Sequence, residues 1–336
     1  EFDFGPVGAA TTPKKPGDDP RGALKARAKE ARFPFLGANI FDRDSGKRVD
    51  WDNVPASRVM EVSGVKIGLI GLATVETPQT TIAANVAGLE FRALAETVVT
   101  QADALRKAGA SVIIVSAHAG GKCKDFGNPL DISSCAPEQE IFALAQALKP
   151  GVVDLIVAGH THRGVAHVVN GIPVIEQFAH GRYFGRVDIA VAPKAGKVVD
   201  VRIHQPQSVC RDPKAKVCEP PDTYEGQPVV IPAEEAAIAK RWVDKARALR
   251  EAPLGVVAET AIPRSRELES VMGNWVADLM LAARPAGDIA ITNGGGLRAE
   301  IDAGPITYGE LYRVLPFDNR FAIAELTGAE LEKVVV

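Results

Sequence analysis

His160 and His162 stand two residues apart behind a short apolar run, Leu155-Ile156-Val157-Ala158, with Gly159 between. The run reads as a buried strand and the glycine as its end. A neutral imidazole is a good ligand for zinc, manganese or iron. On an extended chain this spacing points both rings to the same side, and Gly159, lacking a Cβ, lets backbone approach a ligand closely. The plain alternative is a pair of surface histidines in a turn. A third histidine argues against it. His118 follows another strand-like run, residues 111–116, and in open α/β sheets ligands bind beyond the carboxyl ends of the strands. The remaining histidines, His167, His180 and His204, have no such placing and read as structural or surface residues.

The elements that must position these histidines are legible around them. Residues 65–72 read as a buried strand. Leu94, Val98, Ala102 and Leu105 share one helical face, which Gly109 can end. The strand at 111–116 follows, then a helix marked by Ile141, Leu144 and Leu148 and stopped by Pro150-Gly151, then the strand at 155–158. Strand, helix, strand, helix, strand implies a parallel sheet with His118 and His160 at one edge. Beyond it the pattern turns antiparallel, with a hairpin around Asn170-Gly171 and another around Ala195-Gly196. Residues 6–35 read as a loop with one short helix. Residues 205–232 hold six prolines and one cysteine pair, as a linker or stapled loop does. Ile238, Trp242, Ala246 and Leu249 fit the face of a connecting helix.

A second cluster lies further on. Residues 271–280 are helical in pattern, and 288–292 read as a strand that ends in Asn293-Gly294-Gly295-Gly296-Leu297-Arg298. Gly294, Gly296 and Ala299 fit the dinucleotide fingerprint, but Gly304-Pro305 arrives too soon for the long helix that fingerprint must open.

Gly159-His160-Thr161-His162 resembles the last metal-binding motif of the calcineurin-like metallophosphoesterases. Asn293-Gly294-Gly295-Gly296-Leu297-Arg298 resembles the Asn-Gly-Gly-Gly-Ile-Arg motif of the 5′-nucleotidase family, and Pro316-Phe317-Asp318-Asn319 its Pro-Phe-x-Asn motif. Arg266, eight residues before Asn274, stands in a segment like the family's Arg…Glu-Ser-x-Met-Gly-Asn. The resemblance runs along nearly the whole chain. It implies a metallophosphoesterase-type α/β sandwich followed by a smaller α/β substrate-binding domain: residues 1–205, a linker and connecting helix at 206–252, and 253–336. It also implies an enzyme that removes the 5′-phosphate of nucleotides in catabolism and salvage. A 2′,3′-cyclic phosphodiesterase or 3′-nucleotidase, a UDP-sugar hydrolase, and a non-catalytic metal- or nucleoside-binding surface protein stand as alternatives.

Residue by residue, the resemblance gives His118 and His160 to one divalent ion and His162 to another, zinc, manganese or similar. Two such ions activate a water and clamp the phosphoryl oxygens for in-line displacement. Asp3 matches the acid that orients the family's catalytic histidine. Arg266, Asn293, Gly295 and Arg298 match residues that bind the polar part of a nucleotide, as guanidinium forks suit phosphate and hydroxyl groups. Phe317 matches a base-stacking aromatic. The opening Glu1-Phe2-Asp3-Phe4-Gly5 looks like the second half of the family's Gly-Asn-His-Glu-Phe-Asp motif, and Thr327-Gly328-Ala329-Glu330 reads as a capping box opening a helix. The expectation is a piece of a longer, periplasmic or secreted protein, lacking part of each domain and inactive by itself.

The 336 residues suffice for two domains, with 46% hydrophobic and 24% charged residues as in globular proteins. A net charge of −3 argues against a nucleic-acid polymer as partner. No apolar stretch reaches the length of a membrane span, and no protein partner is evident. For Cys123, Cys135, Cys210 and Cys218, the spacings fit no CxxC zinc module. Two disulfides, Cys123–Cys135 and Cys210–Cys218, are expected over four free thiols or a zinc site.

Overall fold

The structure, a computed structural model, describes residues 2–8, 11–192, 196–215, 218–265, 268–317 and 321–335. The chain folds as two compact units, Glu1–Val229 and Val230–Val336.

In the first unit β1 (Ile40–Asp42), β2 (Ser57–Val62), β3 (Val65–Ala73), β4 (Leu89–Phe91), β5 (Val112–His118), β6 (Leu155–Val157), β7 (Gly164–Val169) and β8 (Ile172–Gln177) follow in order. Six of them form one sheet in the order β2-β3-β5-β6-β8-β7. The pairs β3–β5, β5–β6 and β6–β8 are parallel, and β2 and β7 add antiparallel edges. The parallel sheet expected from the sequence is therefore present, and it is wider. β8 hairpins from β7 through Asn170 and Gly171, both at positive φ as a two-residue hairpin turn demands. It then runs beside β6, with Val174 and Ile175 opposite Ile156 and Val157. The hairpin thus adds to the parallel sheet.

The helix Leu94–Lys107 connects into β5 and the helix Glu140–Ala147 into β6. Leu94, Val98, Ala102 and Leu105 are all buried, as their spacing predicts, and Gly109 takes φ +90° just past the helix end. They pack in one core with Ile70, Ile113, Val115, Ile141, Leu144, Ile156, Ile172 and Val174. Each such fully buried aliphatic side chain contributes ~1.5–3 kcal/mol, which is what holds the strand ends beneath the histidines in place. The short helix of the N-terminal segment is Gly22–Glu30. Val187–Ala192 and Lys197–Ile203 form the second expected hairpin; Ala195 in its turn lies outside the described residues.

In the second unit Pro253–Ala258 pairs antiparallel with Gly304–Thr307. The helix Val271–Ala283 is capped by Ser270, whose Oγ accepts from Gly273 N–H at 3.1 Å. Thr307 and Glu310 form a capping box on Tyr308–Val314, and Thr327 and Glu330 do the same for Gly328–Val335. Ala258, Met272, Val276, Leu297, Ile301, Ile306 and Val314 make the core. One expectation fails here, and one element is present with its apolar face open. Residues 288–292 form no strand, because no described segment offers them a ladder; Ile289 and Ile291 stay exposed. The helix Ala233–Arg250 exists, yet Ile238, Trp242 and Leu249 on its apolar face are exposed.

Candidate functional site

Three parallel strands deliver the first cluster. Ala73 at the end of β3 lies opposite His118, the last residue of β5 rather than the residue beyond it. Glu76 follows β3, and His160 follows β6. His160 Nδ1 lies 3.2 Å from His118 Nε2, and the rings meet edge to face with centroids 4.9 Å apart. His160 Nε2 faces Glu76 Oε2 at 4.0 Å, longer than a hydrogen bond. Two imidazole nitrogens bound to one tetrahedral zinc at ~2.0–2.1 Å would stand about 3.3 Å apart. The observed separation fits a shared ion.

The expectation that His160 and His162 point the same way along an extended chain is corrected. Both take positive φ, +82° and +58°. That region is costly for a residue with a Cβ and is found where surrounding structure enforces it. The kinked backbone separates the rings: His160 meets His118, while His162 lies 5.6 Å, centroid to centroid, from His180. His180 therefore joins the cluster, which its place in the sequence did not show. It arrives there because β8 returns parallel to β6. Phe178 and His180 also take positive φ, +45° and +62°, so four left-handed residues crowd into two neighbouring turns.

Within the protein, the tight backbone packing is at Gly120. A Cβ on Gly159 would have Ala117 O as its nearest neighbour, at 3.7 Å; one on Gly120 would stand 2.2 Å from Gly159 O. Beneath these loops lies Glu176 of β8, 1% exposed, a residue the sequence reading passed over. Burial pushes its carboxyl pKa up, against hydrogen bonds from Thr161, Gly121 and Arg163 that pull it down. His167 is also buried, and burial depresses its pKa; Ala166 N–H donates to its Nδ1 at 3.2 Å.

Asp3 stands in the 3-10 turn Phe2–Phe4. Its carboxylate accepts from Thr81 Oγ1 and, at 3.3 Å, from Ile82 N–H, in the segment that follows Glu76. Cys123 is bonded to Cys135, and Cys210 to Cys218. Cys123 N–H also donates to Gly164 O at 2.9 Å, so the first bridge braces the loop after β5 against the start of β7.

In the second unit the Asn-Gly-Gly-Gly-Leu-Arg segment forms a turn closed by Gly296 N–H donating to Asn293 O at 3.0 Å. The Arg298 guanidinium donates to Gly295 O at 3.3 Å and lies 6.0 Å from the centroid of Phe317, whose ring is half exposed. Asn293, Gly295, Arg298 and Phe317 are thus neighbours. Arg266, Asp318 and Asn319 lie outside the described residues.

Comparison with known proteins bears on both units. Residues 250–336 match the family described as 5′-nucleotidase, C-terminal domain. Endonuclease YhcR of Bacillus subtilis is 27% identical over 327 residues, covering 95% of this chain and 24% of that protein. Protein UshA of Yersinia enterocolitica is 27% identical over 342 residues, covering 94% of this chain and 59% of that protein. The crystal structure of a 5′-nucleotidase precursor from Thermus thermophilus is similar at a TM-score of 0.61 and 25% identity, over 88% of this chain and 55% of that one. This chain spans less than two thirds of each of them. The architecture is the mixed α/β, two-domain plan of a metallophosphoesterase-type domain with a smaller partner domain. The chain is thus similar to 5′-nucleotidases along most of its length, and its residues 250–336 match the 5′-nucleotidase C-terminal domain.

Proposed function

We propose that the protein is a metal-dependent phosphohydrolase that removes the 5′-phosphate of nucleotides. The observation that carries this reading is the 3.2 Å approach of His160 Nδ1 to His118 Nε2 at the carboxyl ends of adjacent parallel strands. His118 and His160 would hold one divalent ion and His162 a second, zinc, manganese or similar. A divalent ion held there would polarise a phosphoryl oxygen and lower the pKa of bound water. Asp3 is assigned to orienting the proton donor to the leaving oxygen. In the second unit Arg298, Asn293, Gly295 and Arg266 are assigned to the polar part of the nucleotide and Phe317 to its base; the half-exposed Phe317 ring beside Arg298 supports this. Residues 1–205 would supply the chemistry and 253–336 the specificity, joined through 206–252. Export to the periplasm or beyond suits the two sulfur–sulfur bonds. Among the described residues no helix is long and apolar enough to cross a membrane.

The test is phosphate release from AMP by the full-length protein, with Mn²⁺ or Zn²⁺ and after chelation, beside 3′-AMP, 2′,3′-cyclic AMP and UDP-glucose. Chelation should abolish release, added metal should restore it, and AMP should be preferred. A preference for the cyclic ester or the UDP-sugar moves the reading to another ester of the same family. Nucleoside binding without turnover of any ester overturns the enzymatic reading.

A further inference from the structure

Under the histidines, the loops that follow β5 and β6 are stitched together. Gly159 N–H donates to Ala119 O at 3.2 Å. Thr161 Oγ1 lies 2.6 Å from Gly121 O and 2.7 Å from Glu176 Oε1, while Glu176 Oε2 accepts from Gly121 N–H at 2.8 Å. Gly120 permits this packing, since a Cβ there would also come within 2.7 Å of both Glu176 Oε2 and Thr161 Cγ2. Thr161 stands between His160 and His162, and Gly121 is three residues past His118. A single carboxyl group on β8 therefore touches both loops that carry the histidines.

We infer that Glu176 is a positioning residue for the His118–His160 site: through Gly121 and Thr161 it ties the two loops together and so sets the spacing of the two imidazoles. The inference rests on the metal reading above, and its test separates the two. Groups behind metal-binding side chains fix ligand orientation, and their loss weakens metal affinity roughly 10- to 100-fold.

Hydrogen-bond accounting says which substitution keeps this tie. Thr161 has one hydroxyl proton and two oxygen neighbours, at 2.6 and 2.7 Å. That proton serves one acceptor at a time, Gly121 O or Glu176 Oε1, while Glu176 Oε2 accepts from Gly121 N–H. A glutamine amide reproduces the pattern: its nitrogen donates to Thr161 Oγ1 and its oxygen accepts from Gly121 N–H. A leucine fills the space and does neither.

The experiment compares the wild-type chain with Glu176→Gln, Glu176→Leu and Thr161→Val, with His160→Ala as control. Co²⁺ is titrated by visible absorption, and the histidine ring ¹⁵N–¹H signals are followed by NMR without metal. Glu176→Leu should raise the Kd for Co²⁺ roughly 10- to 100-fold, alter the absorption band, and shift or broaden the His118 and His160 ring signals. Glu176→Gln should keep wild-type affinity, band and ring signals. Should the leucine variant fail to fold, Thr161→Val, which cuts the same tie from the other side, carries the test. The inference is overturned if the folded leucine or valine variant matches wild type in both readouts, or if glutamine behaves as leucine does. If His160→Ala binds Co²⁺ like wild type, or wild type binds none, it is the metal reading that fails, and the ring signals still decide the role of Glu176.

Discussion

His160 Nδ1 stands 3.2 Å from His118 Nε2, although 42 residues separate them in sequence. The strand register alone does not explain it. Ser116 pairs with Val157, so continuing the ladder would put Gly159, not His160, opposite His118. His160 is one residue further on, and its left-handed backbone turns the ring back over the end of β5. The geometry thus needs both the parallel register and the strained residue, and strain of this kind costs ~1–3 kcal/mol. The proposed metal site at both rings would be a physical reason for a fold to retain it.

Removing one of the pair is the most direct trial of that reason. His160→Ala should leave fold and far-UV circular dichroism intact and lower metal-dependent hydrolysis of AMP and of p-nitrophenyl phosphate alike. The loss should exceed the roughly 10- to 100-fold typical of groups behind the ligands. Retention of half the wild-type kcat/KM on either ester would remove His160 from the site.

Glu176 should leave a signature in the pH dependence of stability. Its folded pKa lies above the ordinary 4.5. The unfolded chain therefore releases this proton first as pH rises, and stability falls from about the unfolded pKa upward until the folded group has also titrated. The contribution is fully present below pH ~4.5. Glu176→Gln removes this slope. Urea midpoints measured from pH 4 to 8 should show the variant gaining on wild type as pH rises, then running parallel. A constant difference across the range would mean that the carboxyl is not perturbed.

The sulfur–sulfur bonds should be present in protein prepared without reductant. Peptide mapping should find Cys123 with Cys135 and Cys210 with Cys218. Closing loops of 12 and 8 residues restrains the unfolded chain by about 3 kcal/mol each on the chain-entropy account. Replacing Cys123 and Cys135 together by serine should lower the urea midpoint accordingly and loosen the loop after β5. Four thiols open to alkylation would refute the pairing.

What the sequence disclosed follows from what periodicity can encode. Four apolar residues at helical spacing located the Leu94–Lys107 helix and its buried face, and short apolar runs located β3, β5 and β6. The Asn170-Gly171 turn was equally plain, but a turn signal says nothing about the neighbour its second strand will take. The hairpin is legible, but not that β8 also pairs with β6, and that pairing is what places His180 and Glu176. A signal for Glu176 did exist: a lone acid at the end of Ile172-Pro173-Val174-Ile175, a run that is buried throughout. Left-handed φ at His160 and His162 has no such signal, since histidine is at most somewhat enriched there and its type alone does not set the backbone. The run 288–292 misled for the opposite reason, having strand composition without a partner ladder among the described residues.

Division of labour between the units gives the sharpest test of the functional reading. The metal-type histidines lie in the first unit, and Asn293, Arg298 and Phe317 in the second. Phe317 keeps half its surface free with the Arg298 guanidinium 6.0 Å from its centroid, an arrangement open to a base. Stacking one base on an aromatic ring contributes ~1–3 kcal/mol, so Phe317→Ala should lower kcat/KM for AMP by about 5- to 150-fold. p-Nitrophenyl phosphate presents the same ester chemistry without a nucleobase, and its kcat/KM should hardly change. His160→Ala must behave differently, lowering both, because each ester needs the histidine site. The crossed pattern of two variants on two substrates is the expected result. If Phe317→Ala impairs both esters equally, Phe317 acts through packing, and the nucleoside assignment of the second unit fails while the histidine site stands.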